Sequence, residues 1–338
     1  MEEYNILPCS SQIDLTNGCH KLSITPTQKM QMGSLLSQLP EAAMSSAMPT
    51  LYSVSFPNGG SPDKLMRMKQ GGVSSAVMDG NKISAQASFH SLGLQELAMS
   101  CFTFMAIASS QYFLKQIGTQ LQMMKLNLDK ILGFLYGDKK AELISEFSFI
   151  KYAYENYASI MKHDEQRAGI IQSIYNAKKV AMKDIEFYIN DLDSVIENKS
   201  GDDISSLAEK AFQIKESLEL ALQLYGFSGL LDVYYSQNFD SEYLDYIEND
   251  ISIYIDKCEK RMLSAFSALK ILISSAKGTL FKKIDKDGFI KRIDDLIDLF
   301  NKGEKSELCQ IIKVSLNSLQ KEPTYYMTAD GDVYIKEA

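Results

Sequence analysis

The 338-residue chain holds three histidines and five cysteines, and their spacing decides which metal or nucleophilic chemistry they can support. His20, His90 and His163 lie far apart, and none belongs to a His pair at i,i+4 or to a Glu-x-x-His pair. Helix-borne zinc and di-iron sites therefore lack their ligands. Cys9, Cys19, Cys101, Cys258 and Cys309 are odd in number, scattered and free of CxxC spacing, so they spell neither a disulfide framework nor a zinc quartet. The expectation is a protein without metal, cofactor or catalytic residues.

Several local patterns imitate functional motifs. Gly71-Gly72-Val73-Ser74-Ser75 has the glycines of a phosphate cradle, but no Gly-Lys-Ser/Thr follows and a hairpin pattern comes next, so it reads as a turn. Asp285-Lys286-Asp287-Gly288 resembles the middle of a calcium loop, with Ile290 and Asp294 in tolerable later positions. Lys283 stands where the first ligand belongs, and a cation there opposes Ca²⁺, so Asp287 reads as a helix cap. Glu142 with Glu146, and Asp294 and Asp295 with Asp298, set carboxylates on one helix face as a hydrolase would require. Lys139, Lys140, Lys291 and Arg292 are interleaved with them, which favours solvated faces with helix-pair charges. His163-Asp164-Glu165-Gln166-Arg167 interrupts the apolar seams and reads as an exposed bend.

The feature that exceeds background is apolar. From Leu97 to Leu114, eighteen residues pass without a charge, including Phe102, Phe104, Ala106, Ile107 and Phe113, which is about the minimum length that spans a bilayer. Ser100, Thr103, Ser109, Ser110 and Gln111 interrupt the run, and its small residues suit close helix packing, so a central core helix is the first reading. A segment that inserts into a membrane after a trigger is the second. Twelve of the sixteen methionines fall within the first 124 residues, and Met packs adaptively against irregular or changing surfaces.

These residues must be positioned by elements of two kinds. Residues 1–93 carry six basic and six acidic side chains, so the net charge of −8 arises downstream. Pro26, Pro40, Pro49 and Pro57, with Gly59-Gly60 and Gly71-Gly72, exclude a long helix there. Leu51 to Phe56 alternates as a strand does, and residues 73–78 and 82–90 read as a hairpin around Asp79-Gly80. Residues 1–50 read as loop with a short helix near Met30–Leu39.

From Leu94 the period changes. Leu114, Ile117, Leu121, Met124, Leu128, Ile131 and Leu135 are spaced 3,4,3,4,3,4, the seam of a helix packed at coiled-coil geometry, and one helix is expected over 94–136, stopped by Gly137-Asp138. Further seams run from Ile171 to Val195 with Lys178 intruding, from Ile204 to Tyr225, and from Leu244 to Ala276, with caps at Ser200-Gly201-Asp202-Asp203 and at Asn238-Phe239-Asp240. Shorter helices are expected at 287–302 and 304–321. Thr324 to Ile335, turning at Asp330-Gly331, reads as a second hairpin, which needs further strands for stability. The fold expected is therefore mainly α: an elongated antiparallel bundle of long helices (94–322), with a small antiparallel β cap in which the C-terminal hairpin (323–338) joins the strands of the N-terminal region (1–93).

Thirty-five basic against 43 acidic residues argue against a nucleic-acid partner. Glu2-Glu3 stands where a signal peptide needs basic residues, and a reducing cytoplasm is the expected compartment, with membrane association only after a trigger. The succession Leu65-Met66, Gly71-Gly72, Ser75-Ala76-Val77-Met78, Gly80-Asn81-Lys82-Ile83 and Gln86-Ala87, then Gln111-Tyr112-Phe113-Leu114 and the seam from Ile117 to Leu135, resembles a group of bacterial proteins of undescribed function over residues 50–145. In layout, an apolar segment and a small hairpin on long helices are similar to the α-helical pore-forming toxins of the haemolysin BL and cytolysin A class. That likeness implies membrane insertion, whereas the residues themselves favour a non-enzymatic bundle acting through contacts with a protein partner or with further copies of itself.

Overall fold

The computed structural model describes residues 15, 18–38, 52–55, 65–67, 73–79, 82–86, 88–91, 94–115, 117–135, 137–197, 204–276, 286–301, 307–320, 324–328 and 330–336, with backbone alone for most of 52–99. Gly71-Gly72, Gly80, Ser200 to Asp203, Asp285 and the side chain of Leu97, all used in the sequence reading, lie outside the described residues. The protein is mainly helical, with a small antiparallel sheet built from an N-terminal strand and a C-terminal hairpin. It forms two compact units, Met1–Ser109 with Pro323–Ala338, and Ser110–Glu322.

The first unit contains β1 (Cys19–Lys21), α1 (Pro26–Gln38), β2 (Tyr52–Ser55), β3 (Leu65–Arg67), β4 (Val73–Asp79), β5 (Lys82–Gln86), β6 (Ser88–Ser91), the start of α2 (Leu94–Lys115), β7 (Thr324–Met327) and β8 (Val333–Lys336). The C-terminal hairpin pairs with β1, in the order β1-β8-β7, and not with the strands of 51–90 as the sequence suggested. Those strands make sheets of their own: β3-β4-β5 and β2-β6. The expected hairpin therefore ends at Gln86, and Ser88–Ser91 leaves it to pair with β2.

Local chemistry explains these ends. Thr25 and Gln28 close a reciprocal capping box (Gln28 Oε1 accepts from the Thr25 N–H at 2.8 Å and Thr25 Oγ1 from the Gln28 N–H at 3.3 Å), and Pro26 opens the helix where a missing N–H costs nothing. Gly331 turns the hairpin at φ +81°, and a Cβ there would lie 2.1 Å from the Lys29 carbonyl oxygen, so α1 and the turn meet backbone to backbone. Asp332 then pairs with Lys21 at 2.9 Å and Lys29 at 3.0 Å, joining strand, helix and turn. Tyr325 and Ser109 hydroxyls share a hydrogen bond of 2.8 Å, tying β7 to α2.

The second unit contains the end of α2, then α3 (Gly118–Ile131), α4 (Gly137–Glu155), α5 (Tyr157–Ile160), α6 (Asp164–Glu197), α7 (Ile204–Ser236), α8 (Ser241–Ser275), α9 (Lys286–Asn301) and α10 (Glu307–Gln320). The helix expected over 94–136 is broken at Ile117, whose N–H bonds to Leu114 three residues back, where Gly118 lowers helical propensity. Gly137-Asp138 begins α4 and does not stop α3. Likewise α9 begins at Lys286, so Asp287 sits in the first turn, favourable to the helix dipole, and is not the cap.

α7 is the centre of this unit. Leu224 through Tyr235 are buried without interruption, because α3, α4, α6, α8 and α10 all pack on this helix. Gly226 and Gly229 admit two of them: an added Cβ would come within 2.7 Å of Ile312 Cδ1 on α10 and of Ile251 Cδ1 on α8 respectively. Arg167 ends the helix by donating from Nε to the Tyr235 carbonyl at 2.7 Å and from Nη2 to the Ser236 carbonyl at 2.8 Å, so the segment read as an exposed bend contains a C-terminal cap. Asp240 caps α8 by accepting from the Glu242 and Tyr243 N–H groups.

Candidate functional site

The sequence-singled apolar residues go to the interior. Phe104, Ile107, Phe113 and Leu114 of α2 are buried, as are Ile117, Leu121, Met124, Leu128, Ile131 and Leu135 of the seam that follows, whereas Phe102 and Ala106 are half-buried. Among the described residues no helix is long and apolar enough to cross a membrane.

The second apolar interior, around α7, contains polar groups that need partners. Asp232, 5% exposed, accepts from the Tyr243 hydroxyl at 3.2 Å, and burial raises its carboxyl above the usual range. One step along the same seam, Lys178 of α6 meets Asp250 of α8 at 3.3 Å and lies 5.0 Å from the centre of the Tyr225 ring, while Tyr225 donates to the same carboxylate. The intruding lysine of the sequence pattern is thus the centre of a three-helix ion pair. Near the end of α7, Tyr157 donates to the Tyr234 carbonyl and Tyr235 to the Ala153 carbonyl, so the hydroxyls of a tyrosine cluster lock α4 and α5 to α7.

The group closest to a chemical site lies between α4 and α6. Lys139 bonds both Glu142, at 2.5 Å, and the fully buried Asp184; Lys183 reaches the other Glu142 oxygen at 3.6 Å. Glu146, one turn beyond Glu142, is only 7% exposed, and neither of its carboxylate oxygens meets a hydrogen-bonding protein atom. This overturns the expectation of a solvated face for Glu146, because α6 covers the face that carries it, whereas Glu142 is half-buried and keeps the expected helix-pair charge with Lys139. Asp294, Asp295 and Asp298 do lie toward solvent, with Asp294 paired to Lys270. Burial pushes the Glu146 carboxyl up to about 8, assisted by the charges of Asp184 and Glu142. Asp184 is raised by burial against the pull of Lys139, and Glu142 is held low by its bond to Lys139.

A raised carboxyl beside a lysine satisfies one criterion for acid–base chemistry, but the other components are missing from this group. Among the described residues no three His, Cys, Asp or Glu side chains could hold a metal ion. The buried thiols of Cys101 and Cys258 are pushed up to about 11 by desolvation, away from nucleophilic thiolate. The α4–α6 group is an interior charge cluster that couples two helices.

What reaches solvent is a helix face. Along α8 the exposed positions are Ser241, Glu242, Asp245, Tyr246, Asn249, Ile253, Asp256, Lys257, Lys260, Ser264, Ala268 and Ile271, continuing to Ser274 and Ser275. Tyr246, Ile253 and Ile271 are 63%, 68% and 70% exposed. A shallow, open depression lies beside the middle of this row, lined by Ile253, Asp256, Lys257, Lys260, Arg261 and Ser264. The sequence reading identified the inward seam of α8 and passed over this outward one, whose signal is an apolar residue recurring on the polar side of an amphipathic helix. No known protein family, curated protein or solved structure matches the chain.

Proposed function

We propose that this protein is non-enzymatic and acts through protein–protein contact, with the outer face of α8 as its docking surface. The observation that carries the reading is the alignment of Tyr246, Ile253 and Ile271. Seven residues are nearly two turns and eighteen are five, so the three side chains project within about 20° of one line over roughly 38 Å. Large apolar side chains scattered singly on a surface need no explanation, whereas three in a line on one straight element provide the anchor pattern of helix-mediated recognition. The basic and acidic residues between them supply a polar rim.

The reading is tested by placing a photo-crosslinking residue at Ile253, at Ile271 and, as a control, at exposed Ser148 on α4, and irradiating cells that make each variant. Adducts at positions 253 and 271, absent at 148 and lost when Tyr246→Asp is added, are expected. Absence of adducts at both α8 positions refutes the docking surface.

A further inference from the structure

We infer that the occupant of the α8 face is a second copy of this chain, lying antiparallel to the first along α8. The inference rests on reading that face as a docking surface, and charge arrangement selects the partner. On the outward row, residues 241–256 of α8 carry Glu242, Asp245 and Asp256 and no basic residue, while Glu248 and Asp250 pair with Lys313 and Lys178 of the same chain. Residues 257–275 carry Lys257 and Lys260 on that row and no exposed acid, while Arg261 and Lys270 pair with Glu186 and Asp294 of the same chain. The helix is acidic in its first half and basic in its second. A parallel copy would set acid on acid and base on base; an antiparallel one sets each half on its opposite, which favours one orientation and rejects the other.

The outward row also maps onto itself. In the register that sets Tyr246 against the partner's Ile271, Asn249 meets the partner's Ala268, Ile253 meets the partner's Ser264, and Asp256 meets the partner's Arg261. Each of these contacts then occurs twice about a twofold axis, as a closed isologous interface requires. Large residues face small ones at two of the pairs, so Ile253 and Asn249 fill spaces beside Ser264 and Ala268. At the axis Lys257 approaches the partner's Lys260, and Asp256, which already pairs with Lys260 at 2.6 Å, offsets this repulsion from both copies. Arg261 keeps its intrachain bond to Glu186 at 2.8 Å, so its side chain is held in place beside the depression.

The test is sedimentation equilibrium of the full chain, together with disulfide trapping between two variants that each add one cysteine to the native five, Asn249→Cys and Ala268→Cys. A dimer is expected, weakened at least about tenfold by Ile253→Asp and by raised salt. Mild oxidation should cross-link a mixture of the two variants, while neither alone cross-links beyond wild type. Trapping of Asn249→Cys to itself would mean a parallel pair and overturn the antiparallel assignment. A monomer at every concentration overturns self-pairing altogether. If such a monomer still forms adducts with a different protein through Ile253, the docking surface stands and its occupant is another molecule; if no adduct forms, both readings fail.

Discussion

Replacing Glu146 by Gln should make the protein more stable at neutral and alkaline pH, although nothing is added to its packing. The gain arises from linkage between folding and protonation. The carboxyl titrates near 8 in the folded protein and near its ordinary 4.5 when the chain unfolds. Between those values the native state keeps a proton that the unfolded state has released, so unfolding becomes easier as pH rises, by about 1.4 kcal/mol per unit. The Glu146 contribution is fully present below pH 4.5 and lost progressively up to pH 8. By pH 7 the loss is about 3 kcal/mol, and the ceiling near pH 8 is about 5 kcal/mol, an upper figure because relaxation of a buried charge lowers such penalties. Gln has the shape of the neutral acid and never ionises.

Urea unfolding followed by far-ultraviolet circular dichroism, at about pH 5 and about pH 8, measures the difference between the two proteins. The variant should match wild type within about 1 kcal/mol at the lower pH and exceed it by about 2–5 kcal/mol at the higher one. Asp184 and Lys139 remain in both proteins, so their own titrations largely cancel in the comparison. If wild type and variant lose stability in parallel over this range, Glu146 is ionised in the fold and the raised titration assigned to it is wrong.

Other substitutions probe single contacts. Gly229→Ala should destabilise by about 1–3 kcal/mol despite alanine's higher helical propensity, because the new methyl meets Ile251 Cδ1; adding Ile251→Val, which removes that atom, should return part of the loss in a double-mutant cycle. Arg167→Ala removes both bonds to the end of α7 and should cost about 1–3 kcal/mol in denaturation, with earlier amide exchange at Tyr235 and Ser236. Truncating Leu121, Leu128 or Ile131 to Ala should cost about 2–5 kcal/mol each, and melting like wild type in all three would remove the packed seam. Gly331→Ala places a methyl against the Lys29 carbonyl and should release the C-terminal hairpin to protease while the circular dichroism of the long helices persists.

The inward seams were legible because every member answers to one physical demand, burial at a period near 3.6, and that demand is written within a single helix. Leu244, Ile247, Ile251, Ile255, Cys258, Met262, Ala265 and Leu269 are interior as the spacing implies; at the end of α8 the row shifts from Leu272 to Ile273. Strand partners were less legible. Ile83, Ala85, Ala87 and Phe89 continue one alternation, yet β5 ends at Gln86 and β6 pairs elsewhere, because alternation reports a face and not the strand beside it. β1, with three residues, is too short to show any period, and the Thr25-Pro26-Thr27-Gln28 capping box starts α1 ahead of the short helix expected near Met30–Leu39.

Polar groups in the interior were the hardest to place, and the reason follows from how they are satisfied. Glu146 has the same local pattern as an exposed helical acid: a lysine seven residues before it and another glutamate at i−4. Whether it meets water depends on α6, whose Asp184 lies 38 residues further along the chain. Asp232 differs only in its neighbours, since it interrupts an apolar run and so signals that something must answer it; that answer, Tyr243, comes from the next helix. The same asymmetry governs α8. Its inward side is fixed by contacts with α6, α7, α9 and α10, so its buried residues are all apolar. Its outward side alternates anchors with charges that change sign at the midpoint, an arrangement that folding of a single chain does not require. A solvated face needs charge, but it has no need of Ile253 and Ile271 in line with Tyr246, nor of exposed acids in one half and exposed bases in the other. On the proposed reading such a pattern reflects what the face meets, which makes the α8 surface, and not the buried acids, the place to test for function.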